Sequence, residues 1–125
     1  MSFVYAAGVL IAADRNDRDV WADHRVRLEL GIVPATTAPV VAQVSRSGRQ
    51  AGLRRFLRGC EVVAFDPAQA DAVGALLGAA GTADVVDAHV VLVAAASGAT
   101  VLTADQDDLS VLSAQLASPV PISRT

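Results

Sequence analysis

Aspartates are the residues of this sequence best suited to chemistry, and two of them stand three positions apart. Asp84 and Asp87 precede an apolar run, residues 90–96, whose length and lack of a polar face predict a buried helix. Residues three apart share one helical face, so these two carboxylates lie side by side. Like charges held this close repel, and desolvation worsens the repulsion. A metal cation, a basic partner or the positive end of the helix must compensate.

A third acid follows the strand predicted at Thr100–Thr103. Asp105 comes directly after it, with Asp107 and Asp108 close behind. Because sites in α/β sheets form beyond the carboxyl ends of the strands, we expect Asp84, Asp87 and Asp105 to converge. Carboxylates favour a hard cation such as Mg²⁺ or Mn²⁺. The alternative is that these acids only cap helices, which fits Asp87 least because it lies inside the first turn.

Short apolar strands alternate with helices along the chain. This alternation predicts an α/β fold with a central parallel sheet and helices on both faces, in one domain spanning residues 1–125. Asp66-Pro67 is a helix start, and Gly81 and Gly98 are expected helix ends. The predicted strands are residues 2–5, 32–35, 60–65, 100–103 and 120–122. Helices are predicted near residues 9–13, 20–30, 38–47, 49–58, 67–80, 84–97 and 109–116.

Composition narrows the classes of function. The net charge is −3, which excludes a protein attracted to nucleic acid over its whole surface. The single cysteine, Cys60, forms no internal disulfide and is expected to be structural. The sequence shows neither a leader pattern nor a long apolar span, so we expect a cytoplasmic protein that does not bind membranes. It contains no lysine, which excludes P-loop NTPases and argues strongly against response-regulator receivers.

Basic side chains are concentrated between residues 46 and 58. Leu53, Phe56 and Leu57 interleave with them at helical spacing, so one interpretation is an amphipathic helix with a solvated arginine face. The other is a surface that contacts RNA phosphates or an acidic partner segment. The arginines concerned are Arg46, Arg49, Arg54, Arg55 and Arg58.

Motifs in both halves of the chain resemble a known family. Thr82-x-Asp84-x-x-Asp87-Ala88, a strand, and Thr103-x-Asp105-x-Asp107-Asp108-Leu109 together resemble the second half of a PIN domain. The opening Val4-Tyr5-x-Ala7-Gly8-x-Leu10 and the overall length match as well. The likeness is closest to VapC-type toxins, the ribonuclease halves of bacterial toxin–antitoxin pairs.

The resemblance implies a metal-dependent endoribonuclease that hydrolyses RNA phosphodiester bonds with Mg²⁺ or Mn²⁺ and thereby inhibits translation and growth. It also implies a homodimer, a VapB-type antitoxin as partner, and no DNA substrate. Asp84, Asp87 and Asp105 match the catalytic and metal-binding acids of the family. The residues expected to support them are Thr82, Thr103, Asp108 and Gln43.

Two positions depart from the family pattern. Ala6 stands directly after the first strand, where the family has Asp, and Gln43 stands where it usually has Glu. The loss of an anionic ligand weakens metal binding and slows hydrolysis, so we expect this form to be catalytically impaired. Ala6 is either a deliberate replacement of Asp or the mark of a natural lineage that lost catalysis. We favour the first, because the other acids are intact.

An alternative function uses the same acids without catalysis. Asp84 and Asp87 are suited to gripping an arginine of a partner protein through charge-assisted hydrogen bonds. In that case the protein is a binding module, and its acidic site needs no metal.

Overall fold

Five short parallel strands form the centre of the molecule. The computed structural model describes all residues from Met1 to Thr125. The strands are β1 (Phe3–Tyr5), β2 (Ala35–Thr37), β3 (Glu61–Val63), β4 (Thr100–Thr103) and β5 (Ile122–Arg124). The helices are α1 (Ala7–Asp14), α2 (Arg18–Glu29), α3 (Ala38–Val44), α4 (Ala51–Leu57), α5 (Pro67–Ala80), α6 (Val85–Ser97) and α7 (Asp107–Ser113). The prediction of a single α/β fold with a parallel sheet is therefore confirmed.

The strand order places a switch point in the middle of the sheet. The order is β3-β2-β1-β4-β5, so the chain moves outward from β1 in one direction and then returns to add β4 and β5 on the other side. Right-handed crossovers put α1 to α4 on one face and α5 to α7 on the other. The strand order reverses between β1 and β4, which are paired directly. Ligand sites are expected at this position in parallel sheets.

The core lies on both sides of β1 and β4. Val4 and Tyr5 in β1 and Val101 in β4 are fully buried. On one face they meet Leu10 of α1, and on the other they meet the apolar side of α6. Val90 and Val91 of that helix are fully buried, as the apolar run predicts, but Ala95 and Ala96 at the end of the run are exposed.

Helix termini follow the local sequence closely. Asp66 caps α5 by accepting a hydrogen bond from the Gln69 backbone N–H, and the Gln69 side chain accepts one from the Asp66 N–H. This reciprocal arrangement satisfies two backbone donors that the helix leaves free. Gly81 and Gly98 end α5 and α6 with positive φ values of 71° and 64°. At these sites residues with a Cβ are disfavoured.

Two strand predictions are shifted along the chain. The strand predicted at 32–35 begins only at Ala35, and the one predicted at 120–122 begins at Ile122. In both cases a proline precedes the strand, Pro34 or Pro121, and proline has no N–H to donate to a ladder. Val120 is instead held by the Ser113 hydroxyl, which donates to its carbonyl and accepts from its N–H.

Some helices are shorter or displaced relative to the sequence-based prediction. The third helix ends at Val44 rather than near Ser47, because the backbone of Ser45 is extended. The fourth spans only Ala51–Leu57, and the seventh begins at Asp107 and ends at Ser113. No single helix is long and apolar enough to cross a membrane, and α5 with α6 reaches that length only as a pair bent by 108°.

Candidate active site

A small cavity opens where β1 and β4 end. Its volume is about 150 Å³, and we call it the acidic cavity. It lies at the switch point of the sheet, as expected for a functional site in this type of fold. The residues that line it are Ala6, Ala7, Gly8, Asp87, Thr103, Ala104, Asp105, Asp108 and Leu109.

Asp87 is the most perturbed acid of the cavity. It lies in the first turn of α6 and is half-buried. Burial raises its pKa from 3.8 to about 6, and the neighbouring Asp84, Asp108 and Asp105 add to the rise. No basic group is among the causes. Strongly perturbed acids in a cleft are typical of functional sites.

Asp84 takes the role of a helix cap. It is the N-cap residue of α6, and its Oδ1 accepts a hydrogen bond of 2.9 Å from the Asp87 N–H. Together with Thr82 it lines a second cavity of about 160 Å³. Asp108 lines both cavities. The acids predicted from the sequence therefore gather at one rim of the sheet, with Asp84 at one end and Asp105 at the other.

Thr103 and Asp105 form a rigid turn after β4. The Thr103 hydroxyl donates to the Asp105 carbonyl at 2.9 Å and accepts from the Asp105 N–H at 3.1 Å. Asp105 Oδ1 accepts a hydrogen bond of 3.1 Å from the Asp107 N–H. Thr103 thus fixes the backbone that presents the Asp105 carboxylate. Its hydroxyl makes no hydrogen bond to a carboxylate.

Ala6 occupies the N-cap position of α1 and lines the acidic cavity. Its backbone is extended, its side chain is 3% exposed, and no side chain caps this helix. Alanine is among the poorest N-cap residues, whereas aspartate and asparagine are among the best. An aspartate at this position would therefore cap α1 and also bring a carboxylate to the cavity beside Asp87.

The close packing at Gly8 was not predicted from the motifs. A Cβ at this position would lie 2.7 Å from the Ala104 Cβ and 3.0 Å from the Ala104 nitrogen. The first turn of α1 thus packs directly against the loop between β4 and α7, and only glycine permits the approach without a shift of the backbone. The signal in the sequence is the Ala-Gly pair directly after the first strand.

The side chains as they stand do not form a three-ligand metal centre. No group of three or more His, Cys, Asp or Glu residues is placed to hold one ion. Ala6 adds no donor, and Gln43 is exposed on α3 and lines neither cavity. The acids have the right chemistry for a hard cation, but Mg²⁺ or Mn²⁺ remains a prediction for this chain.

The arginines of the predicted basic segment are exposed and Leu53 and Phe56 of α4 are buried, which fits a solvated arginine face and a contact surface equally. Arg46 donates to the carbonyls of its own loop, at Ala42 and Ser45, and Arg54 donates to Gly48 at 2.7 Å. The guanidinium of Arg55 lies 4.8 Å from the centre of the Trp21 ring. The remaining members are Arg49 and Arg58, which are also exposed.

Comparisons with known proteins agree on the fold. No family model matches the chain, and no curated protein matches it in sequence. Among solved structures, it is similar to a chain in the crystal structure of VapBC2 from Rickettsia felis bound to a DNA fragment from their promoter. That match has a TM-score of 0.72 at 17% identity and covers 100% of this chain and 99% of the other. It is also similar to PAE2754 from Pyrobaculum aerophilum, with a TM-score of 0.60 at 20% identity over 97% and 92% of the two chains.

These structural matches identify the fold of the chain. The chain has the α/β fold of a VapC-type PIN domain, over its full length. The resemblance inferred from its motifs is therefore confirmed at the level of the fold. At these identities the likeness carries no assignment of activity, substrate or partner.

Proposed function

We propose that this chain is the toxin component of a toxin–antitoxin pair and that the acidic cavity is the hydrolytic site of a ribonuclease. The observation that carries the proposal is the convergence of Asp87, Asp105 and Asp108 around one cavity at the switch point of the sheet. The raised pKa of Asp87 supports it, because carboxylates that raise one another's pKa in a cleft lack the positive charge that a bound cation would supply.

Ala6 reduces the activity of this form. The proposed cofactor is Mg²⁺ or Mn²⁺, and the proposed ligands are Asp84, Asp87 and Asp105 with a carboxylate restored at position 6. Of these, Asp84 lines the neighbouring cavity and not the acidic cavity. The present side chains leave that set incomplete. The only charged residues that line the cavity are acidic, so without a cation it repels an RNA phosphate. We therefore expect the chain with Ala6 to be close to inactive, whether the residue is a deliberate replacement or a natural one.

The test is restoration of the carboxylate. We expect Ala6→Asp to cleave total cellular RNA in Mg²⁺ or Mn²⁺ and to lose that cleavage in EDTA. The matched control is Ala6→Asn, because asparagine caps a helix as well as aspartate does but brings no charge. Cleavage by the aspartate variant alone supports the proposal. Absence of metal-dependent cleavage of any RNA by a folded Ala6→Asp protein would refute it.

The proposed partners follow from the proposal that this chain is a toxin of a toxin–antitoxin pair. The R. felis structure contains both halves of a VapBC pair. For this chain we propose a VapB-type antitoxin, a homodimeric assembly and an RNA substrate. Expression of Ala6→Asp is expected to arrest growth, and co-expression of the neighbouring small gene is expected to relieve the arrest. Sedimentation of the purified chain tests the dimer.

A second candidate function is favoured by one observation. The acids are gathered without a basic partner among the causes of the Asp87 pKa and without a three-ligand metal arrangement. Such a cavity is suited to an arginine of a partner protein. Calorimetry separates the two proposals: a hydrolytic site in Ala6→Asp takes up Mn²⁺, whereas a pure arginine-binding site takes up an arginine peptide and no Mn²⁺.

A further inference from the structure

Three arginines line a concave surface that is separate from the acidic cavity. The surface encloses about 420 Å³, and we call it the arginine pocket. None of the residues that line it is acidic, and none of them lines the acidic cavity. They are Asn16, Arg18, Trp21, Ala22, Arg25 and Arg55.

The fold assembles this pocket from two distant helices. Asp17 caps α2: its side-chain oxygen accepts hydrogen bonds from the backbone of the first turn, and the helix begins at Arg18. Arg18, Ala22 and Arg25 then follow at spacings of four and three, which places them along one helical face. Ala22, between the two arginines along this face, has only a small side chain.

Trp21 holds the third arginine in place. Its indole Nε1–H donates a hydrogen bond of 3.0 Å to the Ala13 carbonyl at the end of α1. Arg55 reaches over from α4, and its guanidinium carbon lies 4.8 Å from the Trp21 ring centre. This cation–π contact orients the guanidinium before any ligand arrives. Sequence patterning identified Arg55 as a candidate but gave no reason to join it with Arg18 and Arg25.

The arginine pocket is positively charged, although the chain as a whole is negatively charged. The whole chain carries a net charge of −3, yet three guanidinium groups meet here. Asp19 and Asp23 lie on the same helix but do not line the pocket, and the Asp14 carboxylate accepts a hydrogen bond from Gln50. Planar guanidinium groups match phosphate oxygens with paired hydrogen bonds. Guanidinium groups pair with carboxylates in the same way, so the pocket suits an oxyanion.

We infer that the arginine pocket binds backbone phosphates of the RNA that the proposed ribonuclease acts on, so the inference rests on the proposed function. Only Trp21 and Ala22 among the lining residues are apolar, and Arg55 lies against the Trp21 ring, so the pocket offers little apolar surface to a protein anchor. The α1 helix connects the two sites: Ala7 and Gly8 line the acidic cavity, while Ala13 bonds Trp21. Gly8 and Ala13 lie roughly 8 Å apart along the axis of α1, so both sites are built on the same short helix.

The single tryptophan of the chain gives a direct test. Trp21 lies in the pocket and is the only Trp, so its fluorescence reports occupancy of this site alone. The chain with Ala6 is titrated with a short single-stranded oligouridylate over a range of salt concentrations. Inorganic phosphate and polyglutamate are titrated in parallel. We expect a saturable change in Trp21 fluorescence with RNA, a weaker change with phosphate, and no change with polyglutamate.

A double variant that removes two arginines tests whether the pocket itself binds the RNA. Arg18→Gln with Arg25→Gln leaves the contact between Arg55 and Trp21 intact. It is expected to weaken RNA binding about tenfold at low salt and to reduce the slope of log affinity against log salt by about 1.4. The matched control is Arg15→Gln with Arg124→Gln, which changes the net charge equally at exposed positions outside both the pocket and the basic segment 46–58. The control is expected to lower RNA affinity by no more than about twofold.

Several results would overturn the inference. One is equal weakening by the two double variants, which would show that only net charge matters. Another is binding of polyglutamate in preference to RNA, which would assign the pocket to an acidic protein segment. The readout is binding by the protein with Ala6, so it is independent of cleavage. RNA binding that depends on Arg18 and Arg25, with no cleavage by Ala6→Asp, would refute the proposed function and leave this pocket standing.

Discussion

Replacement of Asp87 by asparagine is expected to make the protein more stable near neutral pH. The folded chain raises the pKa of this carboxyl from 3.8 to about 6, through burial and the neighbouring acids. Folding therefore favours the protonated form. The associated stability is fully present below about pH 4 and is lost as the pH rises through about 6. Asparagine has no charge to desolvate, so its contribution does not change over this range.

The size of the effect follows from the pKa. The change from 3.8 to about 6 corresponds to at most ~3 kcal/mol, and access of water to this half-buried group reduces it to ~1–2 kcal/mol. Asparagine also loses the favourable interaction of a carboxylate with the N-terminus of α6, which is worth about 0.5 kcal/mol. The net gain expected for Asp87→Asn at about pH 7.5 is therefore about 1 kcal/mol. Close to pH 4 the gain is expected to disappear.

Urea unfolding in EDTA at the two pH values measures this difference. The matched control is Asp71→Asn, an exposed position on α5, where the change is expected to stay within about 0.5 kcal/mol at both pH values. A destabilised Asp87→Asn at neutral pH, or a gain of the same size at both pH values, would show that the acids of this rim do not repel one another. The electrostatic account of the cavity would then be wrong.

Three further predictions concern packing and burial. Gly8→Ala is expected to lower the free energy of unfolding by about 1–3 kcal/mol, because its Cβ would meet the loop between β4 and α7 at 2.7 Å. In the same urea assay, Gly74→Ala is expected to raise the free energy of unfolding by about 0.5–1 kcal/mol, because a Cβ there meets nothing within 4 Å. Cys60 is expected to resist alkylation at about pH 8 in the folded protein and to react in urea, because burial raises its pKa to about 12; rapid labelling of the folded chain, followed by mass spectrometry, would contradict this. Tyr5→Phe is expected to cost about 1–3 kcal/mol in thermal or urea unfolding, because it leaves the buried His24 Nδ1 without its partner at 2.9 Å; an unchanged midpoint would show that this hydrogen bond contributes nothing.

The features that local sequence could predict are those that depend on neighbouring residues alone. Asp66 and Pro67 start α5 at the expected place, Gly81 and Gly98 end helices, and β4 has the predicted bounds. Caps and left-handed glycine ends are decided within one turn of helix. The strand bounds near Pro34 and Pro121 were missed although the prolines, which have no N–H for the ladder, are visible in the sequence. The partner strands then fix where pairing begins.

The candidate site shows the same division. Its acids were predicted from their spacing, and the structure brings Asp87 and Asp105 to one cavity. Local sequence could not show that Asp108 would line the cavities on both sides, nor that Gly8 would be required for close packing. The first fact arises from packing of α7 against the start of α6. The second arises from the contact of α1 with the loop after β4, which is far from α1 along the chain.

By itself, the sequence determined the alternation of strands and helices, the acids available for chemistry and the absence of a carboxylate at position 6. These depend on residue type and periodicity, which any reader of the chain can see. Only the tertiary structure decided that the strand order reverses between β1 and β4, and that Arg18 and Arg25 meet Arg55 on another helix. The physical reason is that both arrangements are set by packing between segments distant in sequence, where burial of the shared core, and no local preference, selects the neighbours.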